Sequence, residues 1–285
     1  MARIAKPSTT ALRTNVPFYM TGAGLICIFA FPVIWVLAAS FKTEAEGRGS
    51  PLSLIPSVFT LSKYTELWNS GAGAPTYILN SVIVSAITVC VTVIVSTLAG
   101  YAFARFRFPL KNTIFFIILM KLMVPFPSLL TPLFMVLQTI GLNNSLVGIA
   151  LIYVTFQLPF SVFVMRNAME AIPKEMVEAA EMDGAGVLSV LRYVLLPIAL
   201  PGVATVALFA FLASWNEFLA ALIFLSDGEK FTLPVMLLNA QTNFDAGVNW
   251  GAVEAGVVIS MIPCLIVFLV LQKYYVGGLM SGAVK

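Results

Sequence analysis

The stretch Glu178-Ala-Ala-Glu-Met-Asp-Gly-Ala-Gly-Val-Leu-Ser-Val-Leu-Arg-Tyr-Val-Leu-Leu-Pro-Ile-Ala-Leu-Pro-Gly202 opens acidic and closes oily. Between Glu170 and Asp183 the chain gathers Glu170, Glu175, Glu178, Glu181 and Asp183, a large share of its 13 acidic residues. The rest is of another kind: 60% hydrophobic, 10% charged, with a mean hydropathy of +0.97. A soluble domain carries about 25% charged residues. The composition therefore identifies an integral membrane protein whose main solvent is the bilayer, and the acidic stretch must lie outside it.

Composition also excludes several classes. A net charge of +3 is too small for a nucleic-acid partner. The three cysteines, Cys27, Cys90 and Cys264, each sit in an apolar run, which suits neither a disulfide framework nor a metal site. Histidine is absent, removing the commonest base and a common metal ligand. No Gly-x-x-x-x-Gly-Lys-Ser/Thr loop occurs, so ATP is not bound by that device. No cofactor, metal or catalytic set is expected.

Apolar runs of about 20 residues cross a bilayer as helices. Six such runs lie near 17–40, 77–103, 113–140, 146–164, 200–225 and 253–271. The first is too long for a signal-peptide core and lacks a cleavage site, so it is expected to be retained; Pro32 falls within it. Orientation follows from lysine and arginine. One side holds Arg3, Lys6, Arg13, Arg105, Arg107, Lys111, Arg166, Lys174, Arg192, Lys273 and Lys285; the other holds only Lys42, Arg48, Lys63 and Lys230. The positive side faces the cytoplasm, so both termini are expected there. The fold class expected is an all-α membrane protein with six transmembrane helices. Its order is a cytoplasmic N-terminus (1–16), a first helix (17–40), an extracytoplasmic loop (41–76), a five-helix transmembrane domain (77–271) with a cytoplasmic connection at 170–199, and a cytoplasmic tail (272–285).

The acidic stretch occupies that connection. Pro173 suits the first position of a helix and Gly184 the residue past its end, with good helix formers between. After Gly186, Val187–Leu195 is expected to form a second short helix before Pro197. Helical spacing sets Met176, Ala179, Ala180 and Asp183 toward one side, Glu178 and Glu181 toward another. Small alanines permit close approach, and the carboxylates suit basic groups on a partner; a solvated connector would show the same charge run.

Glu178-Ala179-Ala180, Gly184 and Leu196-Pro197 at this spacing resemble the signature loop of binding-protein-dependent ABC importer permeases. Val194 stands where isoleucine is usual, and Gly186 where serine is common; glycine caps a helix nearly as well. Asn216-Glu217-Phe218, Ile262-Pro263, Pro125, Pro132-Leu133-Phe134, Arg166 and the tail Gly282-Ala283-Val284-Lys285 are similar to the maltose-type, carbohydrate-importing permeases. The resemblance implies the type I ABC importer permease fold, with the two short helices acting as coupling helices docked on a cytoplasmic ATPase. Glu178, Ala179, Ala180, Asp183, Gly184, Leu196 and Pro197 would form that contact, Glu178 pairing with a basic residue. It further implies a second and distinct permease subunit, two ATPase subunits, an extracytoplasmic sugar-binding protein and a multi-pass place in a bacterial inner membrane. The Lys285 tail would reach the ATPase dimer, and the loop near Asn239–Trp250 would face the binding protein.

Inside the expected spans, Lys121, Asn216, Glu217 and Gln157 are candidates for the substrate path, with Trp215 and the rings of Phe156, Phe160 and Phe211 as possible sugar-stacking surfaces. Lys121 either lines the path or pairs with an acid such as Glu217, since intramembrane charges serve both ends. A cation in the path would favour an anionic sugar. Glu254 is expected to be an interfacial residue without special role. Two other classes compete. A secondary transporter or channel for a small polar solute would show inverted repeats with broken helices, and no repeat is evident. A membrane enzyme would need paired catalytic groups at membrane depth.

Overall fold

The computed structural model describes residues 9–49, 53–242 and 250–283, and these are helical nearly throughout. In chain order the helices are α1 Thr9–Ala39, α2 Glu44–Gly49, α3 Ser62–Asn69, α4 Ala74–Arg105, α5 Lys111–Met120, α6 Leu130–Thr139, α7 Leu146–Glu170, α8 Lys174–Met182, α9 Val187–Ile198, α10 Leu200–Trp215, α11 Leu219–Phe224, α12 Leu233–Thr242 and α13 Trp250–Ala283. Four are long and apolar enough to cross a membrane, over Phe18–Ala39, Ala74–Arg105, Leu146–Glu170 and Trp250–Tyr274; the count reaches six if each of two bent pairs is one span.

Both bends have local causes. The apolar run expected as one span over 113–140 breaks after a 3-10 turn at Lys121–Met123, and its halves meet at 104°. Pro125 and Pro127 are responsible. A residue before proline is pushed out of helical geometry, and Val124 is extended (φ −86°, ψ 115°). The second bend, 79°, falls at Ala199 between α9 and α10. The helix expected to stop before Pro197 runs on to Ile198, because residues 190–195 widen into a π-turn. Such local widening accommodates a proline that cannot donate to the carbonyl four residues back. The run expected as a span over 200–225 stops at Trp215, and α11 resumes it after a three-residue gap.

The described residues divide into two compact units, one from the segments up to Leu67 and Ala240–Ile259, the other from Trp68–Asn239 and the segment from Ser260 onward. In the first, α1 leaves nearly its whole apolar surface exposed over Phe18–Ala39. Its end is fixed by the Ser40 hydroxyl, 2.8 Å from both the Leu37 carbonyl and the Tyr64 hydroxyl. Phe41 stacks on Phe59. The Ser57 amide donates to Glu46 at 2.8 Å, which holds that carboxyl below its ordinary range. Glu254, expected to be an interfacial residue without special role, meets Lys63 at 3.7 Å, and the lysine side chain is almost fully buried.

The second unit is built on α4, α7 and α10 packed side by side. Lipid gives helices no hydrophobic reason to associate, so small residues that permit close approach carry the contact. Ser81, Ser85, Thr88, Thr92 and Ser96 recur at helical spacing along α4 and are all buried. Gly100 continues that stripe. A Cβ there would lie 2.6 Å from that of Met165, and one on Gly202 of α10 would lie 2.7 Å from that of Ala168. Met165 is fully buried at this junction. Two apolar cores flank it: Val84, Ile149, Tyr153, Ala220 and Phe224 toward one end, and Tyr101, Met169, Val190, Leu195 and Val206 toward the other.

Side chains of α4 also pin both ends of the unit. Asn80 donates to the carbonyls of Glu229 and Phe231, and Ser81 accepts from the Leu233 amide. At the far end Arg105 donates to the carbonyls of Met169 and Ile172, both at 2.7 Å, and Tyr101 donates to that of Val187 at 3.2 Å. The connection 170–186 is thus clamped at its entry and its exit by one helix.

Gly100→Ala should destabilise the protein by about 1–3 kcal/mol through overpacking, read as a lower melting temperature in detergent. Gly24→Ala, where nothing lies within 4 Å, should leave it unchanged; equal effects would refute the tight junction. Arg105→Gln should cost about 1.5–3 kcal/mol for lost charge-assisted bonds. It should also accelerate amide hydrogen exchange selectively across 170–186, with Arg105→Lys intermediate. Uniform acceleration along the chain would argue against a clamp.

Candidate functional site

Two groups of polar residues stand out, at opposite ends of α7. The first is the elbow of α8 and α9. Pro173 precedes α8 in extended geometry, and Glu175 sits in the first turn, where a carboxylate complements the helix dipole. The C-terminus closes in a Schellman turn: the Gly184 amide donates to Glu181 and the Ala185 amide to Ala180, at 3.0 and 2.9 Å. Gly184 has φ +84°, which only glycine adopts freely. Gly186 then opens α9, its carbonyl accepting from Val190.

The elbow's faces differ in one respect from the helical-spacing expectation. Ala180 turns inward with Val177 and Ala185 against the core around Met169 and Leu195, whereas Met176 and Ala179 stay exposed. Glu178, Glu181, Asp183, Gly184 and Pro197 are exposed, and Leu196 is half-buried. Met182, Leu188 and Tyr193 are exposed at 89%, 71% and 71%. The elbow thus presents bare apolar side chains beside carboxylates.

The second group surrounds the breaks. A cavity of about 250 Å³ is lined by Phe126, Tyr153, Phe156, Gln157, Ala213 and Glu217. Phe126 comes from just past the first break, Glu217 from the gap between α10 and α11, and the middle residues from α7. Phe126 and Phe156 meet edge to face at 4.7 Å. Glu217 does not pair with Lys121. It accepts from the Tyr153 hydroxyl at 2.6 Å and from the Ala220 amide at 3.0 and 3.1 Å, and so caps α11. Lys121 instead donates to the Thr155 carbonyl, its Nζ lying 3.7 Å from the centre of the Phe156 ring.

Of the expected path residues, Gln157 and Glu217 share this cavity and Lys121 touches its aromatic wall. The other two are placed elsewhere. Trp215 is 2% exposed and donates to the Ser260 carbonyl at 3.1 Å, a packing role; Asn216 is exposed and donates to Leu212 on its own helix. Of the four aromatic candidates Phe156 lines the cavity, while Phe160 packs on Phe209 and Phe211 on Trp215. Val284 and Lys285 of the tail, and residues 243–249 of the loop before α13, lie outside the described residues. Sequence reasoning missed Tyr101, Arg105 and Tyr153. Arg105 carried a signal as a cation in the last turn of a helix, but its acceptors lie 64 and 67 residues away.

The model of the family described as binding-protein-dependent transport system inner membrane component matches residues 92–278, which contain both groups. The trehalose/maltose transport system permease protein MalG of Thermococcus litoralis is 35% identical over 262 residues, covering 92% of each chain. The sulfoquinovosyl glycerol transport system permease protein SmoH of Agrobacterium fabrum is 31% identical over 280 residues, covering 98% of this chain and 97% of that one. Among solved structures, a chain of a bacterial ABC transporter involved in the import of the acidic polysaccharide alginate superposes with a TM-score of 0.78. It covers 96% of this chain and 100% of that one at 24% identity, a likeness of fold. The chain belongs to the family of inner membrane components of binding-protein-dependent transport systems, which are transport permease subunits rather than enzymes.

Proposed function

We propose that this chain is the permease subunit of an ATP-driven importer that carries a sugar or sugar derivative across the cytoplasmic membrane of a bacterium. Its elbow docks on a cytoplasmic ATPase, and its cavity forms part of the sugar's path. A second permease, two ATPase subunits and an extracytoplasmic sugar-binding protein complete the assembly, with both termini of this chain in the cytoplasm. The observation that carries the reading is the α8–α9 elbow. Exposed carboxylates, exposed apolar side chains and a glycine at positive φ are presented together on a connection clamped by Tyr101 and Arg105.

On this reading Glu178 pairs with a basic residue of the ATPase, Ala179 and Asp183 lie beside it, and Gly184 sets the angle between the two short helices. Leu196 and Pro197 end the contact where α9 turns into α10. ATP hydrolysis belongs to the partner; this chain converts the partner's closure into tilting of its helices. Relatives named for trehalose and maltose and for sulfoquinovosyl glycerol support a carbohydrate cargo. The broken helices at Val124–Pro125 and Asn216–Phe218 would also suit a secondary transporter. That alternative assigns no work to an exposed acidic elbow.

The two readings separate in one experiment. Gly184→Val forces a β-branched residue into left-handed geometry at a cost of about 1–2 kcal/mol, and Glu178→Arg reverses the docking charge. Both variants should retain less ATPase subunit on co-purification, several-fold less for the charge reversal, and should lose uptake in proportion. Uptake that persists after the ATPase has dissociated would overturn the proposal in favour of a secondary carrier.

A further inference from the structure

Lys121 is a cation without a fixed counter-charge. None of the ion pairs among the described residues includes it, and the nearest expected acid, Glu217, is already satisfied by Tyr153 and the start of α11. What holds the ammonium is neutral. Pro159 lies inside α7 and has no amide proton, so the carbonyl four residues earlier, that of Thr155, has no partner within the helix. Lys121 donates to that carbonyl. The face of Phe156 adds a cation–π contact. These contacts explain where the ammonium sits but leave its charge unbalanced. They occupy one of its three donors. A structural lysine of this kind would ordinarily be paired, because an intramembrane charge is costly and marks a partner or a cargo.

Its surroundings are those of a binding site. The ring beneath the ammonium is a wall of the 250 Å³ cavity. Lys121 itself lines a second concavity of about 350 Å³ whose other walls, among them Ile117, Ile118, Leu158 and Val162, are mainly apolar. Gln157 lines the first cavity with an amide that has no hydrogen-bond partner among the described residues. An aromatic edge, a free amide and an unbalanced cation together suit a sugar ring that carries an anionic substituent.

We propose that Lys121 is a specificity-determining residue that receives the carboxylate or sulfonate of an acidic sugar as it passes between α5 and α7. Phe156 packs against the ring and Gln157 hydrogen-bonds its hydroxyls. The inference rests on the importer reading and narrows its cargo to an anionic carbohydrate. An importer for neutral sugars would have no use for a cation stationed there.

The test uses the complete importer purified in detergent, with thermal stability as the readout and sodium chloride matching ionic strength. Glucuronate, a 6-sulfonated glucose and glucose are titrated separately. Glucuronate or the sulfonated sugar should raise the melting temperature in a saturable way, and which of them does so identifies the anionic group; glucose should act only at far higher concentration. Lys121→Met should weaken the anionic response by at least about tenfold, the order expected for a lost charge contact, and Lys121→Arg should restore most of it. Lys121→Gln keeps a donor for the Thr155 carbonyl without the charge. It should behave like Lys121→Met if the role is electrostatic and like the native protein if the role is only structural, which would overturn the proposal. A response to glucose as strong as that to the better of the two acids, or no response to either acid, would also overturn it. The importer reading is judged separately, by ATPase co-purification with the Gly184 and Glu178 variants.

Discussion

The closeness of α7 to both α4 and α10 is the constraint on which the larger unit rests. In a bilayer the hydrophobic effect does not press helices together, so association depends on how nearly backbones can meet. Gly100 and Gly202 allow that meeting from two sides at the level of Met165 and Ala168. A single added methyl at either would collide with a neighbour that cannot retreat, since Met165 is fully buried. With the three helices fixed there, the chain on either side has defined starting points. The elbow hangs from the ends of α7 and α10, and the cavity opens between their other halves.

Away from that junction the helices are interrupted, and the interruptions share a place. Exposed backbone polar groups are untenable in lipid, so irregular backbone survives at membrane depth only where protein or a cavity receives it. The break at Val124–Pro125 delivers Phe126 to the cavity wall, and the gap after Trp215 delivers Glu217 to the same wall. Each break lies beside a group that satisfies open backbone, at the start of α11 in one case and within α7 in the other. Glu217 supplies the acceptor that the first amides of α11 need, and Lys121 supplies the donor that Pro159 denies to Thr155. The carboxylate is satisfied by Tyr153; the ammonium lies over the Phe156 ring without an ion pair among the described residues.

How much of this could be read from the chain alone differs by region, for physical reasons. The elbow was legible because its signals are local: a proline before α8, a glycine after it, and acidic residues that no membrane segment would tolerate. Long apolar runs were legible by composition. Their breaks were not, because hydropathy averages over some 19 residues and hardly registers two prolines among leucines and phenylalanines. Glu217 looked like a buried charge seeking a cation. It lines the cavity and caps the helix that restarts two residues after it, and that restart is a tertiary matter. Lys63 with Glu254 and Arg105 with the end of α7 were hidden for the same reason; the partners are far apart in sequence, and period counting links only near neighbours.

The elbow and the cavity are joined by the same two helices, α7 and α10. From Ala168 back to Phe156 along α7, and from Gly202 forward to Ala213 along α10, helical rise gives nearly equal arms of about 16–18 Å. Both arms start at the Ala168–Gly202 contact, where a Cβ will not fit and the helices cannot slide apart or together. Both end on the cavity wall. The elbow joins their other ends through Ile172 and Ala199, each buried in one apolar core with Val190 and Leu195. On the proposed importer reading, a push on α8 would enter through these packed side chains and reach the cavity along the two arms. α7 serves as a stiff arm only while its helix is unbroken at Pro159. The ammonium that completes the Thr155 carbonyl lies against that arm and over the Phe156 ring of the cavity wall, so on the proposed reading a cargo that draws on it would act on α7 as well.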